Sequence, residues 1–467
     1  MEVGMANRAL LMLVVLLCSP LIDSASAQIQ QLTECPIGTL FADTAPEQVH
    51  IQSTGDPTEM LVVWATPGQT DSEVEYGEGE SLDRSVEGEE ECYDHNMVFH
   101  FATMVDLNPA TEYSYRVGDG DQWSTLLTFR TAAPSANTFE FIAFGDHGMS
   151  SDAQATFDNM QTFTEVELVI LAGDISYANG DQAIWDDHAN QYQDSMASIP
   201  WMVAPGNHEN ENGYDFDAYQ TRFEMPSSSG TDLWHSFEQG GVHFIAISTE
   251  HDYTAGSEQL EWFAADLAAA AANRENVPWI VVYGHKPAYT THGGSDSHDG
   301  QMEEIRGIFE PFLVDHQVDL VIWGHEHFYE RTWPVVNATV QQRGVDEEGY
   351  MFSGYHAPIH ITAGTGGRGS YTPEDDEAEW TFHREVSHGL LHITVDRKAG
   401  SMHVEYVRND GEVGDAFLLL KERIVAVEPE GKGLPTPGMS LVLLSMLAAA
   451  YSRRAQSRRT SKSLEEW

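Results

Sequence analysis

Basic residues are scarce in this sequence: 23 Lys and Arg stand against 74 Asp and Glu, for a formal net charge of −51. A field of that sign repels DNA, RNA and anionic lipid, which argues against a nucleic-acid partner or a protein held to a membrane by a basic face. An anionic substrate would have to be attracted locally, against the global field. The acidity itself reads as a solvated surface suited to a salty medium that screens self-repulsion. Cysteine is nearly missing, with 3 in 467 residues, which argues against iron–sulfur clusters and thiolate-built zinc sites. Internal repeats and long low-complexity segments are absent, and long apolar runs occur only at the two ends. Hydrophobic residues at 41% and charged residues at 21% leave enough apolar side chain for a globular protein of two or three domains.

The two apolar ends read as address signals. Arg8, the run Ala9 to Ile22 and the small residues Ala25-Ser26-Ala27 have the order of a secretory leader, so residues 1–27 are expected to be a signal peptide and the protein to be extracellular. The run is too short for a spanning helix. Cleavage removes Cys18 and leaves Cys35 and Cys92. Two cysteines outside the cytoplasm can pair, and the sequence supplies no distance that decides whether they do. At the other end, Gly433 to Gly438 (with Pro435 and Pro437) precedes an apolar stretch from Met439 to Tyr451 and then Arg453, Arg454, Arg458 and Arg459. Basic residues after an apolar stretch hold that end inside. The tail at 433–467 resembles prokaryotic C-terminal sorting tails of the PGF type, and points to attachment at a membrane or cell surface.

Between the ends the texture changes once. Residues 45–132 hold short alternating or apolar runs such as Met60 to Trp64, Glu112 to Val117 and Leu126 to Arg130, separated by Gly, Asp and Pro turns. That is the pattern of a small all-β sandwich, similar to a fibronectin type III domain and read as a packing module without chemistry of its own. Residues 137–425 are different. Continuous hydrophobic strands, including Phe139 to Phe144, Val166 to Leu171, Trp279 to Tyr283 and Val318 to Trp323, alternate with helical stretches near 153–163, 181–197, 257–273 and 301–315. Strand–helix alternation predicts an α/β layered core.

The turns that close those strands carry the chemistry. Phe144 runs into Gly145-Asp146-His147-Gly148, and Leu171 into Ala-Gly173-Asp174-Ile-Ser-Tyr177. Ala204 runs into Pro-Gly206-Asn207-His208-Glu209, Tyr283 into Gly284-His285, and Trp323 into Gly324-His325-Glu326-His327. A single Gly-Asp is ordinarily a turn. Five such turns in order, each closing a buried strand, are another matter, because open α/β sheets gather ligands at the carboxyl ends of their strands. Carboxylate, imidazole, amide and phenol oxygen together suit Fe, Mn or Zn, and a carboxylate in the middle of the set can bridge two ions.

This order of motifs, with Val282-Tyr-Gly-His285 as the fourth, resembles that of the purple acid phosphatases within the calcineurin-like metallophosphoesterases; the likeness extends to the N-terminal sandwich, to Tyr329 to Pro334 and to His360 to Gly367. The resemblance implies a layered β-sandwich metallophosphoesterase core with helices outside. It implies a ferric ion held by Asp146, Tyr177 and His327, a divalent ion (Zn, Mn or Fe) held by Asn207, His285 and His325, and Asp174 between them. Tyr177 is the distinguishing residue, since most metallophosphoesterases lack it. The implied activity is hydrolysis of small phosphate monoesters, with a phosphodiesterase or nucleotide hydrolase on the same site, or a surface-binding protein without catalysis, as alternatives. His208 is expected to bind phosphate and protonate the leaving group, with Glu209 orienting it. A further substrate histidine is expected after the fourth motif, where His298 is preferred to His292. His147 and Glu326 occupy positions that are commonly apolar in the family; strand alternation expects Glu326 to point away from the metals and His147 to face outward. The motifs leave the oligomeric state open.

Overall fold

The computed structural model describes residues 37–93, 97–133, 137–292, 298–341, 350–352, 357–374 and 378–421. The leader expected at 1–27, Cys35 and the tail expected at 433–467 lie outside the described residues. The N-terminal domain is a sandwich of two four-stranded antiparallel sheets. One runs Glu47–Gln52, Met60–Thr66, Met97–Met104, Glu89–Tyr93; the other runs Arg84–Glu87, Glu73–Glu78, Glu112–Gly118, Leu127–Arg130. Alternation does the folding here: Val62, Trp64, Val74, Tyr113, Tyr115 and Val117 all turn into one buried core, while Leu61, Val63 and Ala65, on the other face of their strand, are buried against the larger domain. Cys92 is disulfide-bonded.

The larger domain is built on two seven-stranded sheets. The first runs Trp201–Ala204, Val166–Ala172, Thr138–Phe144, Gly389–Asp396, Ser401–Arg408, Val413–Leu420, Tyr350–Phe352. The second runs His235–Gln239, Val242–Ala246, Trp279–Gly284, Leu320–Trp323, Ile359–Ala363, Tyr329–Thr332, Thr381–Glu385. They share one core, in which Phe141 of the first sheet meets Phe244 of the second edge-on, with ring centroids 5.1 Å apart. The helices Ser151–Met160 and Gln182–Met196 pack on the first sheet, and Glu258–Ala272 and His298–Asp315 cover the second. With both faces covered, the central strands have no polar side to show, which is why they read as unbroken hydrophobic runs.

Pairing direction positions the site. Thr138–Phe144, Val166–Ala172 and Trp201–Ala204 are parallel to one another. So are Val242–Ala246, Trp279–Gly284, Leu320–Trp323 and Ile359–Ala363. Each parallel group delivers its carboxyl ends to one edge, and both edges open on the same place. The sandwich domain docks behind this frame on helix Gln182–Met196, where Gln48 donates from Nε2 to Asp186 at 3.0 Å and Gln193 Oε1 accepts from the Val49 N–H at 2.8 Å.

Candidate metal centre

The seven side chains singled out as ligands meet at that edge, in two groups. In the first, the Tyr177 hydroxyl lies 2.9 Å from Asp146 Oδ1 and 3.1 Å from His327 Nε2, and His327 Nε2 lies 3.1 Å from Asp146 Oδ1. In the second, His285 Nε2 lies 3.1 Å from Asn207 Oδ1 and 3.1 Å from His325 Nδ1. Asp174 joins them, its Oδ1 being 3.3 Å from His285 Nε2. Ligand atoms of Asp146, Asp174 and His285 fall within 4.8 Å of one another, and all three side chains are buried.

The backbone is bent to make this convergence. Asp146, Asp174, Tyr177 and His325 all have positive φ, between 55° and 69°, a conformation that side chains other than glycine rarely adopt and that concentrates at functional sites. Two glycines leave the necessary room. A Cβ on Gly173 would meet His285 Nδ1 at 2.5 Å, and one on Gly206 would run into the Asp174 carboxylate.

The imidazoles are aimed by backbone carbonyls: His285 Nδ1 bonds the Ala172 carbonyl at 2.9 Å and His327 Nδ1 the Gly369 carbonyl at 2.8 Å. Those bonds occupy one ring nitrogen and leave Nε2 pointing into the cluster, as metal-binding histidines require. Electrostatics favour a cation. Burial would lower the His285 proton affinity, yet the Asp174 carboxylate outweighs it and pushes the imidazole up to about 10. Asp174 in turn is held far below the usual carboxylate range, because His285 and His208 overcome its own burial. For Tyr177, burial and then the Asp146 carboxylate drive the phenol well above its ordinary value. Two carboxylates, a phenol, an amide and three imidazoles, with the His285 and His325 nitrogens 3.1 Å apart, need positive charge among them, and the donor set fits iron with a divalent partner.

The residues around the cluster depart from expectation in two ways. Glu209 does not orient His208. It is fully buried, and its carboxylate accepts from the Asp174 and Gly206 N–H groups at 2.8 and 2.7 Å and from the Ile175 N–H at 2.9 Å, so it clamps two ligand loops together and cannot reach substrate. His208 instead bonds Asn179, Nδ1 to Oδ1, at 2.5 Å. No motif marks Asn179; its position two residues past Tyr177 was the available signal. Second, His147 faces neither solvent nor the cluster: it is fully buried, 3.3 Å from His188 Nε2 and packed on Tyr192. Glu326 does what strand alternation expects and turns away from the ligands toward His292, whose Nδ1 is 2.6 Å from its Oε2. His292 stacks on Tyr371, which stacks on His327, so this histidine stands beside the centre. The preferred candidate, His298, begins helix His298–Asp315, and its side chain lies outside the described residues. Arg368 was also missed; it lies over the Tyr177 ring, 4.4 Å from the centroid.

Comparison with known proteins gives the family. Three family models match along the chain: purple acid phosphatase N-terminal domain over 46–131, calcineurin-like phosphoesterase over 139–329, and iron/zinc purple acid phosphatase-like protein C over 357–416. Acid phosphatase type 7 of Danio rerio is 32% identical over 82% of this chain and 94% of its own length. Purple acid phosphatase 21 of Arabidopsis thaliana is 32% identical over 79% and 82%. Among solved structures, the purple acid phosphatase PPD1 from yellow lupin seeds superposes with a TM-score of 0.73 at 22% identity, covering 85% of this chain and 78% of that one, which is a likeness of fold. With three consecutive domain models and relatives matched nearly end to end, the chain belongs to the purple acid phosphatases, within the calcineurin-like metallophosphoesterases, and is an acid phosphatase.

Proposed function

We propose that this chain is a secreted acid phosphatase that hydrolyses small phosphate monoesters at a dinuclear centre of Fe(III) and a divalent ion (Zn, Mn or Fe). The observation that carries the reading is the meeting of seven oxygen and nitrogen donors from five strand ends, with neighbouring donor atoms about 3 Å apart. Asp146, Tyr177 and His327 would hold the ferric ion, Asn207, His285 and His325 the divalent one, with Asp174 between. Such a pair of cations supplies charge neutralisation for the phosphoryl oxygens and Lewis acidity toward water.

The chain's own groups bring the remaining parts. Glu209 ties the Asp174 and Asn207 loops to one another through three backbone N–H groups, which keeps the two halves of the ligand set at a constant separation. His208 is 33% exposed, rests on the Tyr177 ring and has Nε2 3.8 Å from Asp174 Oδ2. It is the imidazole placed to meet a leaving-group oxygen. Burial lowers its proton affinity despite the Asp174 carboxylate, so once protonated it gives up the proton readily, as a general acid must. Secretion is supported by the leader pattern and by the disulfide at Cys92, a bond that persists in oxidising compartments. No helix among the described residues is long and apolar enough to cross a membrane, so surface attachment would fall to the tail at 433–467.

The test is metal content, visible spectrum and hydrolysis of p-nitrophenyl phosphate, measured on one preparation. A phenolate on Fe(III) gives a visible band, and Tyr177→Phe is expected to erase it while iron stays bound. A colourless iron-loaded protein, or a band that survives the substitution, would withdraw the Fe(III) assignment.

A further inference from the structure

We propose that Arg368 is a specificity residue of this phosphatase, binding a second anionic group carried on the leaving-group side of the substrate and so favouring phosphate esters with two anionic groups over simple ones. The inference rests on the phosphomonoesterase reading and adds the substrate class.

The guanidinium is exposed and sits 4.4 Å over the ring of Tyr177. The same ring carries His208, 4.5 Å away between centroids, and its hydroxyl edge faces Asp146 and His327. A cation is therefore fixed at the mouth of the centre, on the body of the tyrosine, while the donor atoms crowd the hydroxyl edge. It neighbours the reacting phosphoryl without belonging to the set that would hold it. Among the described residues no carboxylate pairs with this guanidinium. A cation over an aromatic face keeps its N–H donors available to an anion.

The loop that carries Arg368 is pinned. Its N–H donates to the Asp146 carbonyl at 3.0 Å and its carbonyl bonds His388 Nε2 at 2.9 Å. On either side, the Gly366 N–H donates to the Gly145 carbonyl at 2.8 Å, and the Tyr371 N–H to the His327 carbonyl at 3.1 Å. Gly367 has φ of +144°, and a Cβ there would run into Ala153, so the chain can approach helix Ser151–Met160 closely enough to make these bonds. An arginine on a backbone fastened to two ligand-bearing residues is preorganised, and little further entropy is lost when it binds an anion. Because the whole-molecule field opposes anions, such a local cation decides which of them are retained.

The experiment compares wild type with Arg368→Gln and Arg368→Lys on the bisphosphate and the monophosphate of one short diol, and measures binding of methylenediphosphonate and methylphosphonate by calorimetry. The wild type is expected to prefer the two-anion compound in both formats. Arg368→Gln should lose about tenfold on the bisphosphate and on methylenediphosphonate, but less than about threefold on the single-anion compounds, the scale of one charge-assisted hydrogen bond. Arg368→Lys should recover part of the loss. Equal losses on both classes would mean that Arg368 holds the transferred phosphoryl itself, and no loss on either would mean that it binds no substrate; each result overturns the proposal. The phosphonates keep the two readings separable. A wild type that hydrolyses neither ester sinks the phosphatase reading, while the diphosphonate-to-phosphonate ratio still reports on Arg368.

Discussion

His208 depends on a residue that no motif contains. Asn179 has φ of 53°, an αL conformation that asparagine accepts better than most residues, and this turn brings its side-chain oxygen to His208 Nδ1. The amide thereby selects the ring orientation that leaves Nε2 toward the centre. His208→Ala should lower kcat by roughly 10²–10⁴-fold, and Asn179→Ala by about tenfold, since the acid is still present but no longer held. In both, the loss should be larger for alkyl phosphates than for nitrophenyl phosphate, whose leaving group needs no proton, and KM should move little. Equal losses across leaving groups would remove the proton-donor role from His208 and the positioning role from Asn179. The ligands themselves were legible as a set, because five glycine-marked turns, each closing a buried strand, carry them in order. Their companions were not. Asn179, Arg368 and Tyr371 reach the centre through turns whose positive φ values and backbone bonds are consequences of the folded chain. Glu209 stood in plain view within Gly-Asn-His-Glu, and its partners, three N–H groups on two loops, could not be read from the motif.

At the scale of elements, burial on both faces made most strands readable. Val166–Ala172, Trp279–Gly284 and Leu320–Trp323 are nearly continuous apolar runs, and the helices between them fall within a few residues of the expected stretches. Strands without that signature went unseen. Arg84–Glu87 and Glu89–Tyr93 are mostly charged and exposed, and their place in the sandwich comes from pairing with Glu73–Glu78 and Met97–Met104, which alternation within a single segment does not reveal. The strand pair Gly389–Asp396 and Ser401–Arg408 also hides a charged group inside the sheet. His392 is buried with Nε2 3.0 Å from Glu140 and Nδ1 3.6 Å from Glu405 Oε2, its ring stacked on Phe163, and His403 Nδ1 lies 3.9 Å from the same Glu405 oxygen. Burial alone would lower its proton affinity, but the two carboxylates outweigh it and the net direction is upward from 6.5. A histidine raised in the fold contributes stability that is complete below the unfolded value and is lost as pH rises through the folded value. His403 acts in the opposite sense, since burial lowers its proton affinity, and it is common to wild type and variant. His392→Gln should therefore cost more stability at about pH 6 than at about pH 9, read from paired denaturant titrations at each pH. A gap that is constant or widens with pH would show that His392 is neutral in the fold.

For the whole molecule, the question is what makes a sandwich and a phosphoesterase core one body. Arg222 carries much of the answer. It is 1% exposed, donates to Asp186 at 3.0 Å, and lies over the rings of Tyr93, Phe99 and Trp185. Two of those rings belong to the sandwich. Its own carbonyl accepts from Gln52 Nε2 at 3.2 Å and bonds His50 Nε2 at 2.6 Å, so both ends of the residue bind the N-terminal domain. Asp186 in turn accepts from Gln48. A guanidinium taken out of water this completely is tolerable only with its carboxylate and aromatic partners in place. Arg222→Met keeps an apolar stem but strips Asp186 of its counter-charge and the three rings of their cation. The expected cost is about 3 kcal/mol, and it should fall on the joint between domains rather than within either core. Wild type should unfold in one step by tryptophan fluorescence and far-UV circular dichroism together. In the variant the two probes should separate, with the sandwich melting first, while phosphatase activity measured below that first transition changes little, because the Arg222 guanidinium bonds Ala218 and Asp186 and stacks on Tyr93, Phe99 and Trp185, none of them a ligand. A variant that still unfolds in one coincident step, merely at lower denaturant, would place the coupling in the wider apolar contact that Leu61, Val63, Tyr93 and Phe99 share with the larger core.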